Sequence, residues 1–178
     1  MKIKLSDLIK IIEDWAPKNF SEDFDNVGLI VGDKNSIINK AIITLDTSED
    51  VIDEAVKNNC NLIITFHPII FSGLKKITTE TYVERVVLKA LKNNINIYAI
   101  HTNLDNHPKG VNYIISKKLN LKNVSFLIPK KNFDIGMGMI GDLQNPVNEY
   151  DFLLNLSKKM NSGFLKHSDF LGKKISRV

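Results

Sequence analysis

Three short apolar runs, and what each one runs into, decide the fold: Ala41-Ile42-Ile43-Thr44-Leu45-Asp46, Leu62-Ile63-Ile64-Thr65-Phe66-His67-Pro68, and Ile97-Tyr98-Ala99-Ile100-His101-Thr102-Asn103-Leu104-Asp105. None alternates apolar with polar residues. Between the first two lies Ser48 to Asn58, where Ser48 caps a helix with Val51, Ile52, Ala55 and Val56 as its apolar stripe. Between the last two lies Glu80 to Leu91, helical, with Val83, Val86, Val87, Ala90 and Leu91 on one side. Unbroken apolar strands separated by amphipathic helices signal parallel strands buried on both faces. The expected class is α/β, three-layered, with a mostly parallel central sheet built from β-α-β-α-β and right-handed crossovers.

On the N-terminal side, Leu5, Leu8, Ile9, Ile12 and Trp15 recur at helical spacing, with Ser6 as N-cap, until Pro17. Phe24 to Asp33 reads as a loop around a short extended piece. On the C-terminal side the pattern predicts a helix over Gly110–Leu119, a strand over Ile135–Leu143 and a helix over Asn148–Met160. Gly163–His167 is read as extended, and Lys173–Val178 as the approach to another strand. No repeat or low-complexity linker interrupts the chain, so residues 1–178 are read as a single domain.

At 178 residues, with 43% hydrophobic and 25% charged side chains, the composition is that of an ordinary globular chain. It excludes collagen, coiled coil and a charged disordered tail. Cys60 is the sole cysteine and rules out an intramolecular disulfide. No run approaches the ~20 apolar residues of a membrane span, and Met1 to Lys10 carries no signal-peptide core. The expectation is a soluble cytoplasmic protein with no membrane partner. Net charge is +4, but residues 1–60 carry 7 basic against 12 acidic side chains and residues 61–178 carry 17 against 8. Lysines number 22 and arginines 2. Phosphate and base recognition favours the planar fork of arginine, so the lysine-rich half reads as a solvated surface and a nucleic-acid partner is not expected.

Chemistry is expected where the strands end, because ligands of parallel sheets sit beyond the carboxyl edge. Adjacent strands lie about 4.8 Å apart. His67, His101 and, four residues on, Asp105 therefore reach toward a common point, offering two nitrogens and a carboxylate to Zn²⁺, Fe²⁺ or Mn²⁺. From spacing alone each histidine also reads as a hydrogen-bonded loop residue. Pro68 stiffens the backbone behind His67, and Thr102 and Asn103 are placed to orient ligands. Asp46 is read as a cap of the following helix rather than as a ligand. His107 and His167 are read as surface residues. Gly136-Met137-Gly138-Met139-Ile140-Gly141 matches G-x-G-x-x-G, but Asp142 to Pro146 cannot open the helix a dinucleotide site needs. Small residues in a close-packed strand explain these glycines, and Cys60 reads as a buried structural thiol.

Asp25-Asn26-Val27-Gly28-Leu29, Thr65 to Phe71 and Ala99 to Asp105 together resemble one family, the dinuclear metal-centre proteins called GTP cyclohydrolase 1 type 2 homologues, or Nif three-like proteins. Residues 1–120 carry most of the resemblance, and Gly136–Leu143 fits it. The resemblance implies that His67 matches the second of two paired histidines, Asp105 the metal-ligating carboxylate, and His101 the histidine lining the same site. Phe66 stands where the first paired histidine belongs, and phenylalanine cannot ligate. The family's C-terminal His and Glu have no counterpart, so the chain is expected to match the N-terminal part of a member. A toroidal homohexamer, with metals facing an internal cavity, is the implied assembly.

The functional expectation is a divalent-metal-binding, hydrolase-like protein acting through a metal-activated water on an unidentified small molecule, with no residue assigned as catalytic. No residue shows a guanine or triphosphate pocket. The alternative is a non-catalytic scaffold or protein-interaction module whose metal site is partly lost, which Phe66 favours. A nucleic-acid role instead requires binding that weakens steeply with salt. Gel shifts on duplex and single-stranded probes are expected to show no complex.

Overall fold

A computed structural model of the chain describes residues 3–130 and 134–178. Two compact units form, Met1–Leu104 and Asp105–Val178. The division falls inside a helical turn, Thr102–Asp105, rather than at a linker, which is why the sequence carries no sign of it.

In chain order the first unit holds β1 (Ile3–Lys4), α1 (Leu5–Trp15), β2 (Gly28–Val31), β3 (Ile37–Ile38), β4 (Ala41–Thr44), α2 (Glu49–Lys57), β5 (Leu62–Thr65), α3 (Tyr82–Lys92) and β6 (Asn96–Ala99), with a 3₁₀ turn at Lys18–Phe20, and α4 (Thr102–Asp105) straddles the division. Its main sheet is ordered β2-β6-β5-β4. β4, β5 and β6 run parallel, with Ile42 level with Ile63 and Ile63 level with Ile97. β2 closes the other edge antiparallel to β6. A mixed α/β fold with a largely parallel sheet is the result.

Alternate residues of a strand face opposite sides, and the core divides accordingly. Ile63 and Ile97 pack with Ile52 and Ala55 of α2 and Val86, Val87 and Ala90 of α3. Leu62 and Tyr98 pack with Leu5, Ala16, Ile38 and Ile100. Burial on both faces holds for β5 and β6 but not for β4, an edge strand whose Ile43 is 82% exposed. The unbroken apolar run of β4 gave no sign of its place at the edge.

Helix caps explain the boundaries. Ser48 Oγ accepts from the Val51 N–H and Thr81 Oγ1 from the Glu84 N–H, satisfying donors that a helix start leaves open. α1 instead starts at Leu5 with Lys4 as its cap, so Ser6 lies inside the helix. Gly32, at φ +116°, needs the freedom only glycine has: an added Cβ would stand 2.1 Å from Asn96 Oδ1. That oxygen accepts from the Asp33 N–H and the Ser36 hydroxyl, tying the β2–β3 turn to β6.

The second unit holds α5 (Val111–Leu119), β7 (Lys122–Pro129), β8 (Gly136–Asn148), α6 (Glu149–Met160) and β9 (Lys174–Arg177). Its antiparallel sheet is ordered β7-β8-β9. β8 outruns the expected Leu143 and passes Pro146, where a shift in register between Asp142 and Val147 relieves the ladder. Gly136 and Gly141 lie in β8 against the β7 backbone and Leu121, so the glycine run is a packing feature. Sequence periodicity missed β7, and Gly163–His167 forms no strand.

Glu84, buried in the first turn of α3, accepts from the Thr78 hydroxyl and N–H. Those hydrogen bonds, chiefly that of the Thr78 side chain, outweigh desolvation and hold its carboxyl below the ordinary 4.5. A depressed carboxyl contributes stability above its unfolded pKa and loses it as pH falls through the folded one. Urea midpoints taken from pH 6 down to pH 3 are therefore expected to fall more steeply below about pH 4.5 in the wild type than in Glu84→Gln. Parallel curves would contradict this.

Candidate functional site

β4, β5 and β6 end level, Thr44 beside Thr65 and Thr65 beside Ala99. Asp46, His67 and His101 each stand two residues beyond those paired ends. The ladder continues past the last strand residues: the Phe66 and His67 N–H groups donate to the Thr44 and Leu45 carbonyls, and the Ile100 N–H to Thr65. Three side chains are thereby delivered to one edge of the sheet.

The two imidazoles meet. Their ring centroids are 5.5 Å apart and nearly perpendicular. Phe66 completes a cluster of three rings, edge-on to His67 at 5.1 Å and to His101 at 5.3 Å. A carboxylate stands behind each histidine. His67 Nδ1 lies 2.7 Å from Asp46 Oδ1, and His101 Nδ1 lies 2.9 Å from Asp25 Oδ1. An ionised carboxylate only accepts, so in both rings Nδ1 is the donor, and in a neutral imidazole that leaves Nε2 as the lone-pair nitrogen. Asp46 is thus the partner of His67 and not the expected cap of α2, a position Ser48 holds.

The two carboxylates differ in setting. The Asp46 side chain is 66% exposed and the Asp25 side chain is fully buried. Asp25 is also the better bonded. Beyond His101 it accepts from the N–H and hydroxyl of Thr102 and from the Asn26 N–H. Burial pushes its carboxyl up, but these hydrogen bonds, led by that from His101, together hold it below the ordinary range. Thr102 Oγ1 accepts in turn from the Glu22 N–H. Asn103 Oδ1 accepts from the His101 N–H while its amide donates to the Ala16 carbonyl. Thr102 therefore holds Asp25, the partner of the His101 ring, and Asn103 holds the His101 backbone. Asp25 had no role assigned from the sequence: 76 residues separate it from His101, and no local spacing announces the pair.

Asp105 closes the turn Thr102–Asp105 and begins the second unit, where Asn112 donates to its carbonyl. His107 and His167 lie in that unit too. His107 Nδ1 accepts from the Lys109 N–H, and exposed His167 stacks on Phe170 with centroids 4.8 Å apart. Cys60 is buried, as expected of a structural thiol. Two imidazoles whose Nδ1 atoms are braced by carboxylates share an orientation with metal-bound histidines, whose Nε2 atoms ligate. They make a partial donor set. Among the described residues no three His, Cys, Asp or Glu side chains are gathered as a metal-binding group. Among the described residues no helix is long and apolar enough to cross a membrane.

The model of the family described as Duf34/NIF3 (NGG1p interacting factor 3) matches residues 3–178. A Clostridium acetobutylicum protein named GTP cyclohydrolase 1 type 2 homolog is 42% identical over 146 residues, covering 81% of this chain and 54% of its own length. A Clostridium perfringens protein of the same name is 35% identical over 178 residues, covering 99% of this chain and 68% of its own length. Among solved structures, the Staphylococcus aureus hypothetical protein SA1388 superposes with a TM-score of 0.89 at 26% identity, over 99% of this chain and 71% of that one. The chain thus spans about half the length of its C. acetobutylicum relative.

The unequal carboxylates give unequal costs. Asp25→Ala orphans buried donors and is expected to destabilise the chain by about 3 kcal/mol. Asp46→Ala, at an exposed pair, is expected to cost less than ~1 kcal/mol. Denaturant unfolding of both variants checks the contrast, and equal losses would contradict it.

Proposed function

The chain belongs to the Duf34/NIF3 family, and on that premise we propose that it binds a divalent cation through His67 and His101, with Asp105 as a carboxylate donor, and serves as a cytoplasmic metal-dependent hydrolase. The observation that carries this is the ring pair: two imidazoles 5.5 Å apart, each with Nδ1 held by a carboxylate. The resemblance of Ala99 to Asp105 to the family's metal-ligating segment supports Asp105. Borderline nitrogen donors with one carboxylate suit Zn²⁺, Fe²⁺ or Mn²⁺. When bound, the cation supplies Lewis acidity and a water activated near neutral pH, the chemistry needed to hydrolyse a small molecule.

The chain's own groups do the rest. Asp25 and Asp46 each hold an Nδ1 atom, which orients both rings. Thr102 holds Asp25 against His101, and Phe66 covers one side of the imidazole pair with an apolar edge. Exposed Phe164 and Leu171, at 76% and 73%, are apolar surface that a lone copy leaves in water. They support assembly with further copies of the chain, a ring of six in the proposal. Phe66 favours one second reading. It brings a ring that cannot ligate to where a third imidazole would serve, which suits a non-catalytic scaffold retaining a reduced metal site.

Metal analysis of the purified chain tests the proposal. Near-stoichiometric divalent metal is expected, falling at least tenfold in His67→Ala and His101→Ala and substantially in Asp105→Ala. Equal traces of metal in the wild type and all three variants would end it. Stoichiometric metal without hydrolytic turnover would favour the scaffold.

A further inference from the structure

Between the end of β5 at Thr65 and the start of α3 at Tyr82 the chain has no regular secondary structure. The ladder holds His67 only as far as its N–H bond to the Leu45 carbonyl. The Thr65 hydroxyl also bonds the His67 carbonyl and Asp46 holds the His67 ring; from outside β4–β6, the adjacent residues Asp25 and Asn26 touch both histidine-bearing segments. Asp25 grips His101 and Thr102 through its carboxylate. Asn26, the next residue, donates its side-chain amide to the Ile70 carbonyl over 2.6 Å. Ile70 lies three residues beyond His67, and Ile69 between them is buried in the core. The Asn26 N–H bonds the Asp25 carboxylate, so the two residues are locked to each other as well.

We propose that Asp25-Asn26 is a positioning clamp for the imidazole pair, Asp25 fixing the ring of His101 and Asn26 fixing, through the Ile70 carbonyl, the segment that carries His67. Its purpose rests on the cation reading above; its geometry does not. Asn26 is the informative half. It bonds no histidine, lies on no strand, and its side chain spans 44 residues of sequence to reach a single carbonyl. A residue that only filled a loop could lose that bond without disturbing two rings on other segments.

The test uses the full chain, labelled for NMR. Asn26→Asp keeps the shape of the side chain and loses the donor. Asn26→Ala serves as the second variant should a carboxylate beside Asp25 prevent folding. In the wild type, cross-relaxation between the His67 and His101 ring protons is expected, with proton-bearing Nδ1 atoms in long-range ¹H–¹⁵N spectra. In the Asn26 variants the inter-ring signals are expected to fall at least threefold and the His67 ring resonances to move, while His101 keeps its Nδ1 proton. Unchanged inter-ring signals and ring shifts in a folded Asn26 variant would overturn the clamp. Titrating the same samples with Co²⁺ separates the two ideas. No Co²⁺ binding by the wild type would remove the cation reading, whereas the ring signals alone decide the clamp.

Discussion

The parallel register of β4, β5 and β6 is the constraint on which the rest depends. Thr44, Thr65 and Ala99 lie level. Asp46, His67 and His101 inherit equivalent places two residues on, and so emerge at one edge from segments far apart in sequence. A slip of one residue in any strand would exchange its two faces, carrying Ile63 or Ile97 out of the core cluster they share with α2 and α3. The packing that stabilises the unit therefore also enforces the alignment of its candidate site. Stability and chemistry are coupled through a single geometrical condition.

Within that alignment the histidines are held by unequal means. His101 leans on a carboxylate removed from water and saturated with donors, whose ionised form is maintained by those same donors. His67 leans on an exposed carboxylate that water and salt screen. One ring has a rigid, prepaid orientation and the other a weaker one reinforced through the backbone. Phe66 removes polar alternatives from between them, since its edge offers neither ring a hydrogen-bond partner.

Much of this was legible in the residues. The strands and helices from Ala41 to Ala99 announce themselves because local apolar patterning and long-range burial agree there. Ser48 was recognisable as a cap from short spacing, and His67 and His101 as neighbours because each directly follows a parallel strand. What escaped depends on partners distant in sequence. β4 differs from β5 only in Ala41 for Leu62, and strand order exposes Ile43. β7 lies at the edge of its sheet and shows no clean alternation of burial. Asp25 sits in a loop whose meaning comes from Thr102 and His101. Asp46 followed helix-capping logic from sequence, yet Ser48 took that role and freed it for an imidazole.

Among the described residues no strand pairs with the outer flank of β4, which has a consequence for behaviour in concentrated solution. An unpaired strand offers a template on which a stray extended segment can grow. Here the template is four residues long, with Lys40 before it and Asp46 shortly after. An incoming strand would gain few ladder bonds and would have to bury or neutralise charge near both ends. Brevity and flanking charge thus limit what an incoming strand would gain beside Ile43.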